Sequence, residues 1–559
     1  MHRRLIYIAA IVCLKFNIIS AQRLPELYRP LDIPLTLSAN FAELRPNHFH
    51  SGLDFKTESR TGLPVRSVAD GYVSAIEVSS VGFGRAVYVT HPSLGLTTVY
   101  GHLEAFSQKI DKIVRDEQYR RETFSIDMEF IPGSVPVRGG EVIGLSGNAG
   151  SSGGPHLHFD IRETAGGDPL DPMPYFKEYI TDREPPYVKG VALYPAEGKG
   201  TVDGKSTPSY KEAGAVFDAW GKVYPAVNAN DAMTGTSNVY GVKHLALYVD
   251  GKCVFGRTLE RFPLGRTRAI NTLVDYDDLV RTGRWWQWTR IPASRPLPGI
   301  IGATVADGAV IIDRERDYKC VYVLMDEHGN RREVRFTIRG VKNVYPARPE
   351  GNLFRWNGDN SWRVSGLRVL FPRGCLYDDF YFKASRVDKR MPDGLYSGVY
   401  SIGLKHTPLA SSFDVEIRLE RDDVADKSKY CLVRMVDGGG MVSVGGRYAD
   451  GVMRGEVSRF GRYAVAVDGT PPKILAENQD DWGRTGVVNF IIGDDLSGVA
   501  TFRGEIDGKF ALFEYDRKNN RLSFKMDSSR FTRGREHSVT MTVTDTVGNV
   551  SRHTGRFNW

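Results

Sequence analysis

Short runs of alternating apolar and polar residues, separated by glycine, dominate the first third of this chain. Runs rich in Val, Ile, Tyr and Thr are typical of β-strands joined by tight turns. Three clear examples cover residues 71–76, 86–90 and 97–100. We therefore predict an antiparallel sheet within residues 30–180.

One segment of this region departs from the strand pattern. Over residues 107–123, the apolar residues Ile110, Ile113, Val114 and Tyr119 recur at the spacing of one helix face. The pattern predicts an amphipathic helix within an insertion of about residues 105–136. Because this insertion separates two of the histidine motifs described below, we expect the helix to border the site that they form.

The remainder of the chain is also rich in predicted strands. Consecutive prolines at 185–186 and 471–472 predict linkers. Each proline pair precedes a segment, and the two segments have the same order of Asp/Gly turns. The first segment has them at 231–235, 250–252 and 326–330, and the second at 494–498, 507–509 and 545–549. We predict a repeated Ig-like β-sandwich module with a long insertion in its first copy. Because a D-x-D-x-D-G loop is absent, these aspartates are interpreted as turn formers rather than calcium ligands.

Composition and the first residues indicate an exported protein. The hydrophobic share of 41% and net charge of +7 describe an ordinary solvated surface. No basic tract is interleaved with aromatics, so nucleic acid is not predicted as a partner. A basic start at 2–4, an apolar run at 5–14 and a small residue before Gln22 predict a signal peptide. No later segment reaches the roughly 18 apolar residues of a spanning helix, so we expect no membrane anchor after cleavage.

Four cysteines follow the signal peptide: Cys253, Cys320, Cys375 and Cys431. An even number in an exported chain allows disulfides, and the positions suggest Cys253–Cys320 and Cys375–Cys431. Four buried thiols are the other interpretation. None of these cysteines has C-x-x-C spacing, so any zinc chemistry must come from histidine and carboxylate side chains.

Three glycine-punctuated motifs contain the candidate chemistry. His156 and His158 lie two residues apart on a predicted strand and therefore share a face. With His50 and Asp54, His158 supplies the two imidazoles and one carboxylate of a catalytic zinc site. Zinc lowers the pKa of a water that it binds to about 7 and polarises a scissile carbonyl. His102 and His156 remain available for proton transfer.

Two other histidines near these motifs are candidates for lesser roles. We assign His48 and His91 to structural or supporting positions, with His48 as a reserve ligand because it shares a face with His50 in an extended segment.

Six motifs occur in the order found in the lysostaphin/LytM-type zinc endopeptidases, which this region resembles over roughly 130 residues. They are His50-x-x-x-Asp54, Gly62-x-Pro64-Val65, Gly71-Tyr72-Val73, Tyr100-Gly101-His102-Leu103, Gly140-Glu141-Val142-Ile143-Gly144 and Gly154-Pro155-His156-Leu157-His158-Phe159. The resemblance implies that His50, Asp54 and His158 bind Zn²⁺. It also implies that His102 and His156 perform acid/base and transition-state work. All five positions are filled, unlike those of the catalytically inactive branch. The insertion at 105–136 departs from the family pattern, which leaves the shape of the substrate site open. Some relatives are silenced by a polar residue that enters the open metal position, and the resemblance makes Asn40 or Asn47 a candidate for that role.

The resemblance implies an exported zinc metalloendopeptidase that hydrolyses cross-links or stem peptides of bacterial peptidoglycan, in the periplasm or at the cell surface. Two alternatives stay open: a non-catalytic cell-wall-binding or regulatory protein, and a zinc protease acting on a protein substrate.

We predict a mostly β chain. Its parts are a signal peptide (1–21), a zinc endopeptidase domain (22–182), an Ig-like β domain (183–343), a β-rich domain (344–468) and an Ig-like β domain (469–559). The three C-terminal domains are candidates for a spacer, a cover, or a surface that binds a protein partner.

Overall fold

The computed structural model describes residues 24–345, 351–388 and 390–559 and is mostly β, as predicted. The predicted signal peptide, residues 1–21, lies outside the described residues. Within the described ranges, no helix combines the length and apolar character needed to cross a membrane.

The first region is an antiparallel sheet with one long helix against it. Its strands are β1 Leu37–Ala39, β2 Leu44–Arg45, β3 His48–Phe49, β4 Leu53–Lys56, β5 Pro64–Arg66, β6 Gly71–Val78, β7 Arg85–His91, β8 Leu96–Gly101, β9 Ala105–Phe106, β10 Ile126–Glu129, β11 Pro136–Val137, β12 Val142–Leu145, β13 His156–Glu163 and β14 Pro169–Leu170. The main sheet has the order β1-β4-β13-β8-β7-β6-β10. The three strand runs predicted from the sequence correspond to β6, β7 and β8. A smaller sheet has the order β5-β12-β9.

The predicted helical insertion is confirmed as α1, Gln108–Arg121. Its buried face carries Ile110 and Val114, and buried Gln118 donates a hydrogen bond from Nε2 to the Phe124 carbonyl oxygen at 2.6 Å. The helix ends at Glu122, which adopts a left-handed conformation. After it, β10 and β11 pair with β6, so the insertion widens the main sheet. Two short helices close the region, α2 Met173–Phe176 and the 3₁₀ helix Lys177–Tyr179.

The second region is one connected sheet of ten strands. Its elements are β15 Tyr187–Val202, β16 Ser209–Lys211, β17 Val216–Asn230, β18 His244–Val249, β19 Lys252–Thr258, β20 Trp286–Trp288, β21 Ile301–Thr304, β22 Val310–Ile312, β23 Asp317–Met325 and β24 Arg331–Gly340, with the helix α3 Tyr276–Thr282 and 3₁₀ turns at Leu264–Thr272 and Ala306–Gly308. Between β19 and β21, the segment 259–300 leaves this sheet except at β20 and packs on the first region. There, the Phe262 ring lies 4.8 Å from Phe49 and 5.5 Å from Phe41.

The third region contains two five-stranded sheets and one two-stranded sheet, and the fourth contains two four-stranded sheets. The third has β25 Asn352–Phe354, β26 Asn360–Val364, β27 Leu367–Phe371, β28 Phe380–Phe382, β29 Ala384–Arg386, β30 Tyr400–Ile402, β31 Phe413–Arg418, β32 Tyr430–Met435, β33 Met441–Ser443, β34 Arg447–Ala449, β35 Val452–Val457 and β36 Gly461–Val467, with a 3₁₀ turn at Lys427–Lys429. The fourth has β37 Lys473–Glu477, β38 Val487–Gly493, β39 Val499–Ile506, β40 Lys509–Ala511, β41 Glu514–Asp516, β42 Arg521–Lys525, β43 Glu536–Asp545 and β44 Val550–Asn558, with the 3₁₀ turn Gln479–Asp481 and α4 Trp482–Thr485.

The fourth region folds back onto the first. Arg85 pairs with Glu514 at 2.6 Å, and Arg503 pairs with Glu122, which directly follows α1, at 2.8 Å. The hairpin formed by β41 and β42, which we call the C-terminal hairpin (residues 514–525), turns at Lys518. The ammonium group of Lys518 donates to the backbone carbonyl oxygen of Ser152 at 3.4 Å and to that of Asn148. Distant parts of the chain therefore meet beside the histidine motifs.

Neither suggested disulfide forms, because Cys320, Cys375 and Cys431 are free, buried thiols. Cys253 and Cys320 lie on β19 and β23, and β18 runs between those two strands. Two intervening spacings of about 4.8 Å exceed the reach of a disulfide. Cys375 and Cys431 belong to separate apolar clusters of the third region. The pairing prediction was therefore wrong, and the buried-thiol interpretation holds for these three residues.

Candidate metal centre

Strand order brings the three histidine motifs together. Central strand β13 pairs with β4 on one side and with β8 on the other, so His158 lies opposite both Asp54 and Gly101. Gly52 allows the chain to approach β13 closely, since a Cβ there would lie 2.1 Å from the Phe159 carbonyl oxygen. His50 is thereby held over the end of β4, next to Asp54.

His50, Asp54 and His158 form a tight triangle of ligand atoms. His50 Nε2 lies 2.9 Å from Asp54 Oδ1 and 3.1 Å from His158 Nδ1, and His158 Nδ1 lies 2.9 Å from Asp54 Oδ1. All three residues are buried. Arg45 donates to the other carboxylate oxygen of Asp54 at 2.8 Å.

The outer nitrogen of each imidazole is already used as a donor. His50 Nδ1 donates to the Asn40 carbonyl oxygen at 2.8 Å, and His158 Nε2 donates to Asp160 Oδ1 at 2.6 Å. In the neutral tautomers that these bonds select, the inner nitrogens present lone pairs toward Asp54 Oδ1. Three electron-pair donors at this separation are stabilised by a positive charge between them, which either a proton or a metal ion supplies. Two imidazoles and one carboxylate are a ligand set that catalytic zinc takes in proteins.

The electrostatics of the triangle also favour a bound positive charge. Burial raises the pKa of Asp54, but hydrogen bonds and charges from His50, His156 and His158 outweigh it and hold this pKa well below its usual value. Burial lowers the pKa of His158, but Asp160 and Asp54 outweigh it and raise this pKa to about 9. Below pH 9, a metal ion must displace the proton on His158, so its apparent affinity is expected to fall with falling pH.

His102 and His156 lie beside the triangle, with ring centroids 4.8 Å apart. Each donates from Nδ1 to a backbone carbonyl oxygen at 2.8 Å, that of Ala149 for His102 and that of Gly154 for His156. This leaves Nε2 of each ring free of these carbonyl bonds, and His156 Nε2 lies 3.5 Å from Asp54 Oδ1. Burial, aided by His158 and His156, lowers the pKa of His102 to about 3, so this imidazole is neutral near pH 7.

Two further residues complete the site and were not identified from the sequence. Asp160 is fully buried and, besides orienting His158, accepts from Ser51 Oγ at 3.0 Å and from Arg162 at 2.6 Å. Its sequence signal was available, since it follows His158 by two residues on β13 and shares its face. Arg45 had no such signal, because it reaches Asp54 from a separate hairpin, β2–β3.

The four secondary candidates lie outside the ligand triangle. His91 is buried and bonded on both nitrogens, to the Asp70 carbonyl oxygen and to Thr98 Oγ1, each at 2.9 Å, which confirms a structural role. His48 is exposed on β3. The Asn40 amide bonds the backbone of Gly241. The Asn47 amide faces residues 271 and 276 of the packed segment. Both asparagine side chains are therefore bonded away from the triangle.

Replacing Asp160 with asparagine is expected to weaken zinc binding by about 10–100-fold. The amide cannot supply the negative charge that supports His158, and its NH₂ group cannot accept from Arg162. Competition with a chromophoric chelator at pH 7.5 measures the affinity. Asp127→Asn, at an exposed position on β10, serves as the matched control. Wild-type affinity in a folded Asp160→Asn protein would contradict this role.

Comparison with known proteins finds one family model that matches part of this region. The model of Peptidase family M23 matches residues 48–119, which include His50, Asp54 and His102. Among curated relatives, the DD-carboxypeptidase/endopeptidase Mpg of Neisseria meningitidis serogroup B is 36% identical over 124 residues, covering 22% of this chain and 22% of that protein. An uncharacterized metalloprotease of Haemophilus influenzae is 32% identical over 113 residues, covering 20% of this chain and 18% of that protein. The chain thus matches less than a quarter of the length of each relative.

Solved structures similar to this chain include two catalytic domains. That of the prophage-encoded M23 protein EnpA from Enterococcus faecalis has 22% identity and a TM-score of 0.19, covering 27% of this chain and 95% of that one. That of the antimicrobial peptidase lysostaphin from Staphylococcus simulans has 21% identity and a TM-score of 0.20, covering 26% and 92%. Separately, a Zu5-like domain model matches residues 351–468, which is the third region.

Proposed function

We propose that the protein is an exported zinc metalloendopeptidase that hydrolyses peptide bonds in bacterial peptidoglycan. The observation that carries the proposal is the triangle of His50, Asp54 and His158, whose inner ligand atoms lie 2.9–3.1 Å from one another. His102 and His156 stand beside it with Nε2 available. In this proposal, the first three residues hold Zn²⁺, and the other two handle protons and stabilise charge in the transition state.

The chain's own groups supply the proton transfers. Zinc held by this ligand set would provide Lewis acidity near neutral pH. Amide hydrolysis requires a proton to leave the attacking water and another to reach the departing amine. Neutral imidazoles accept protons at Nε2, and their Nδ1 bonds to the Ala149 and Gly154 carbonyl oxygens fix the ring orientation. Burial of the site keeps these interactions strong.

Peptidoglycan is the proposed substrate because two similarities support it. One is the match to Peptidase family M23, and the other is the similarity to Mpg. Mpg is named a DD-carboxypeptidase/endopeptidase, which describes cleavage of amide bonds between amino acids. Export follows from the predicted signal peptide, and we propose the periplasm or cell surface as the location. We also keep the predicted domain boundaries as part of this proposal, with the three C-terminal β domains available to contact the wall or a protein partner.

Digestion of purified sacculi tests the proposal. We expect the zinc-loaded full chain to release soluble muropeptides whose masses show cleaved stem or cross-link amides. Adding a chelator should stop the release, and restoring zinc should recover it. Casein, assayed in parallel, tests the protease alternative, and sedimentation with sacculi tests the binding-only alternative. Binding without release, or cleavage of casein but not of sacculi, would overturn the proposed activity.

A further inference from the structure

Two clusters of three aspartates lie outside the M23 site. They are Asp182, Asp231 and Asp326 where the first region meets the second, and Asp468, Asp494 and Asp545 where the third meets the fourth. Within each cluster, one carboxylate oxygen per residue lies within 4.8 Å of the other two. The neighbouring carboxylate Asp495 is neutralised by Lys473 at 2.9 Å, whereas the described residues show no such ion pair for any of the six.

Backbone and amide donors hold the first cluster in place. Asp182 Oδ1 accepts from the backbone nitrogen of Thr234 at 3.1 Å. Asn330 donates from Nδ2 to Asp326 Oδ2 at 2.7 Å and to the Asp182 carbonyl oxygen at 3.4 Å. These bonds join the end of the first region to two turns of the second.

The second cluster repeats these hydrogen bonds and adds two, from the backbone nitrogens of Leu496 and Gly498 to Asp494 Oδ2 at 3.0 and 2.7 Å. Asp468 Oδ2 accepts from the backbone nitrogen of Ser497 at 2.9 Å. Asn549 donates from Nδ2 to Asp545 Oδ2 at 2.7 Å and to the Asp468 carbonyl oxygen at 3.0 Å. The aspartates do form turns, as the sequence analysis interpreted them. In the second and in the fourth region, however, the turn carboxylates also converge on one point beside a Pro-Pro linker.

The middle aspartate of each cluster has one buried carboxylate oxygen without a hydrogen-bond partner among the described residues. Asp231 is only 4% exposed, and the oxygen is its Oδ1. Asp494 is half-buried and its Oδ2 accepts two backbone hydrogen bonds, but its Oδ1 is buried and unpartnered. Burial, reinforced by Asp326 and Asp182, raises the pKa of Asp231 to about 8. Buried carboxylates that face one another without a counter-charge are costly, and a bound cation removes that cost.

We propose that each cluster binds one Ca²⁺ ion at the junction between a linker and the β region that follows it. The available donors are all oxygens, from three carboxylates and nearby backbone carbonyl groups, which suits a hard cation rather than zinc. Ca²⁺ accepts several carboxylates in flexible geometry, whereas Mg²⁺ retains most of its waters and is bound through one or two carboxylates. Because Asp182 and Asp468 precede the linkers, each ion fastens a linker to the turns of the next region.

Calorimetric titration of the zinc-saturated full chain with CaCl₂ tests this inference. We expect two equivalents to bind, with dissociation constants of roughly 10⁻⁵–10⁻³ M. Asp231→Asn and Asp494→Asn should each lose one equivalent, and the double variant should lose both. Asparagine keeps the side-chain shape and removes the charge, so the variants are expected to fold. Asp495→Asn, which removes the carboxylate paired with Lys473, should keep both equivalents.

Thermal melts provide a second readout that is independent of peptidase activity. Millimolar CaCl₂ should raise the midpoint of wild type and of Asp495→Asn but not that of the double variant, because a ligand of the native state stabilises it. Wild type that binds no Ca²⁺, or a double variant that still binds two equivalents, would overturn the proposal. Equal affinity for MgCl₂ would overturn the assignment to calcium.

Discussion

Replacing Asp54 with alanine is expected to abolish both zinc retention and peptidase activity. The change removes the one carboxylate of the triangle and deprives Arg45 of the partner to which it donates at 2.8 Å, which leaves its weaker pair with Glu43 at 3.5 Å. Outer-shell partners alone contribute about 10–100-fold to metal affinity, so losing a ligand should exceed roughly 100-fold. Metal content per chain after gel filtration and muropeptide release from sacculi measure the two effects.

The matched control for this change is Asp127→Ala, which removes an exposed carboxylate from the same region. It should retain one zinc per chain and wild-type release. Because Asp54 is buried, circular dichroism and thermal melts must show that the Asp54→Ala chain is folded. A folded Asp54→Ala protein with full zinc and full activity would remove Asp54 from the proposed ligand set.

Replacing His156 with alanine is expected to lower kcat by about 10²–10⁴-fold while zinc is retained. His156 Nε2 lies 3.5 Å from Asp54 Oδ1 but outside the triangle of inner ligand atoms. Its proposed task is to move or hold a proton during reaction. Because that interaction belongs to the transition state, KM should change little. Steady-state rates on a soluble muropeptide, with metal analysis of the same sample, separate the two roles.

His102→Ala is also expected to lower kcat while zinc is retained. The rings of His102 and His156 are adjacent, and each donates from Nδ1 to a backbone carbonyl oxygen. His48→Ala is the control, because His48 is an exposed histidine on β3 of the same region. It should change neither zinc content nor kcat. Loss of zinc from the His156→Ala chain would show that His156 binds metal, and an unchanged kcat would show that it is not catalytic.

The sequence allowed the site to be predicted where spacing alone determines which side chains meet. His156 and His158 share a face because they are two residues apart on a strand, and the three glycine-bounded motifs identified His50, Asp54 and His102. The structure places all five side chains together. Asp160 followed from the same spacing rule but was overlooked. Arg45 was not predictable, because its contact with Asp54 depends on how a separate hairpin packs.

Features set by strand order or by distant packing were not predictable. The suggested Cys253–Cys320 pair failed because an intervening strand separates the two cysteines, and sequence spacing carries no information on strand order. The aspartate turns were recognised, but their convergence with Asp182 and Asp468 depends on the path of the linkers. Nothing in the pattern of residues 259–300 indicated that this segment packs against the hairpin that precedes His50.

The C-terminal hairpin contacts the loop 148–154, which accepts hydrogen bonds from His102 and His156. This contact has a consequence for biosynthesis. Lys518 bonds the Ser152 carbonyl oxygen across 366 positions of sequence, and Ala149 and Gly154 of the same loop orient His102 and His156. At about 5–20 residues per second, the ribosome makes this loop roughly 20–70 s before its partner. Until residue 518 has been made, the loop that orients His102 and His156 lacks its hydrogen bond from Lys518. Completing the chain supplies that bond.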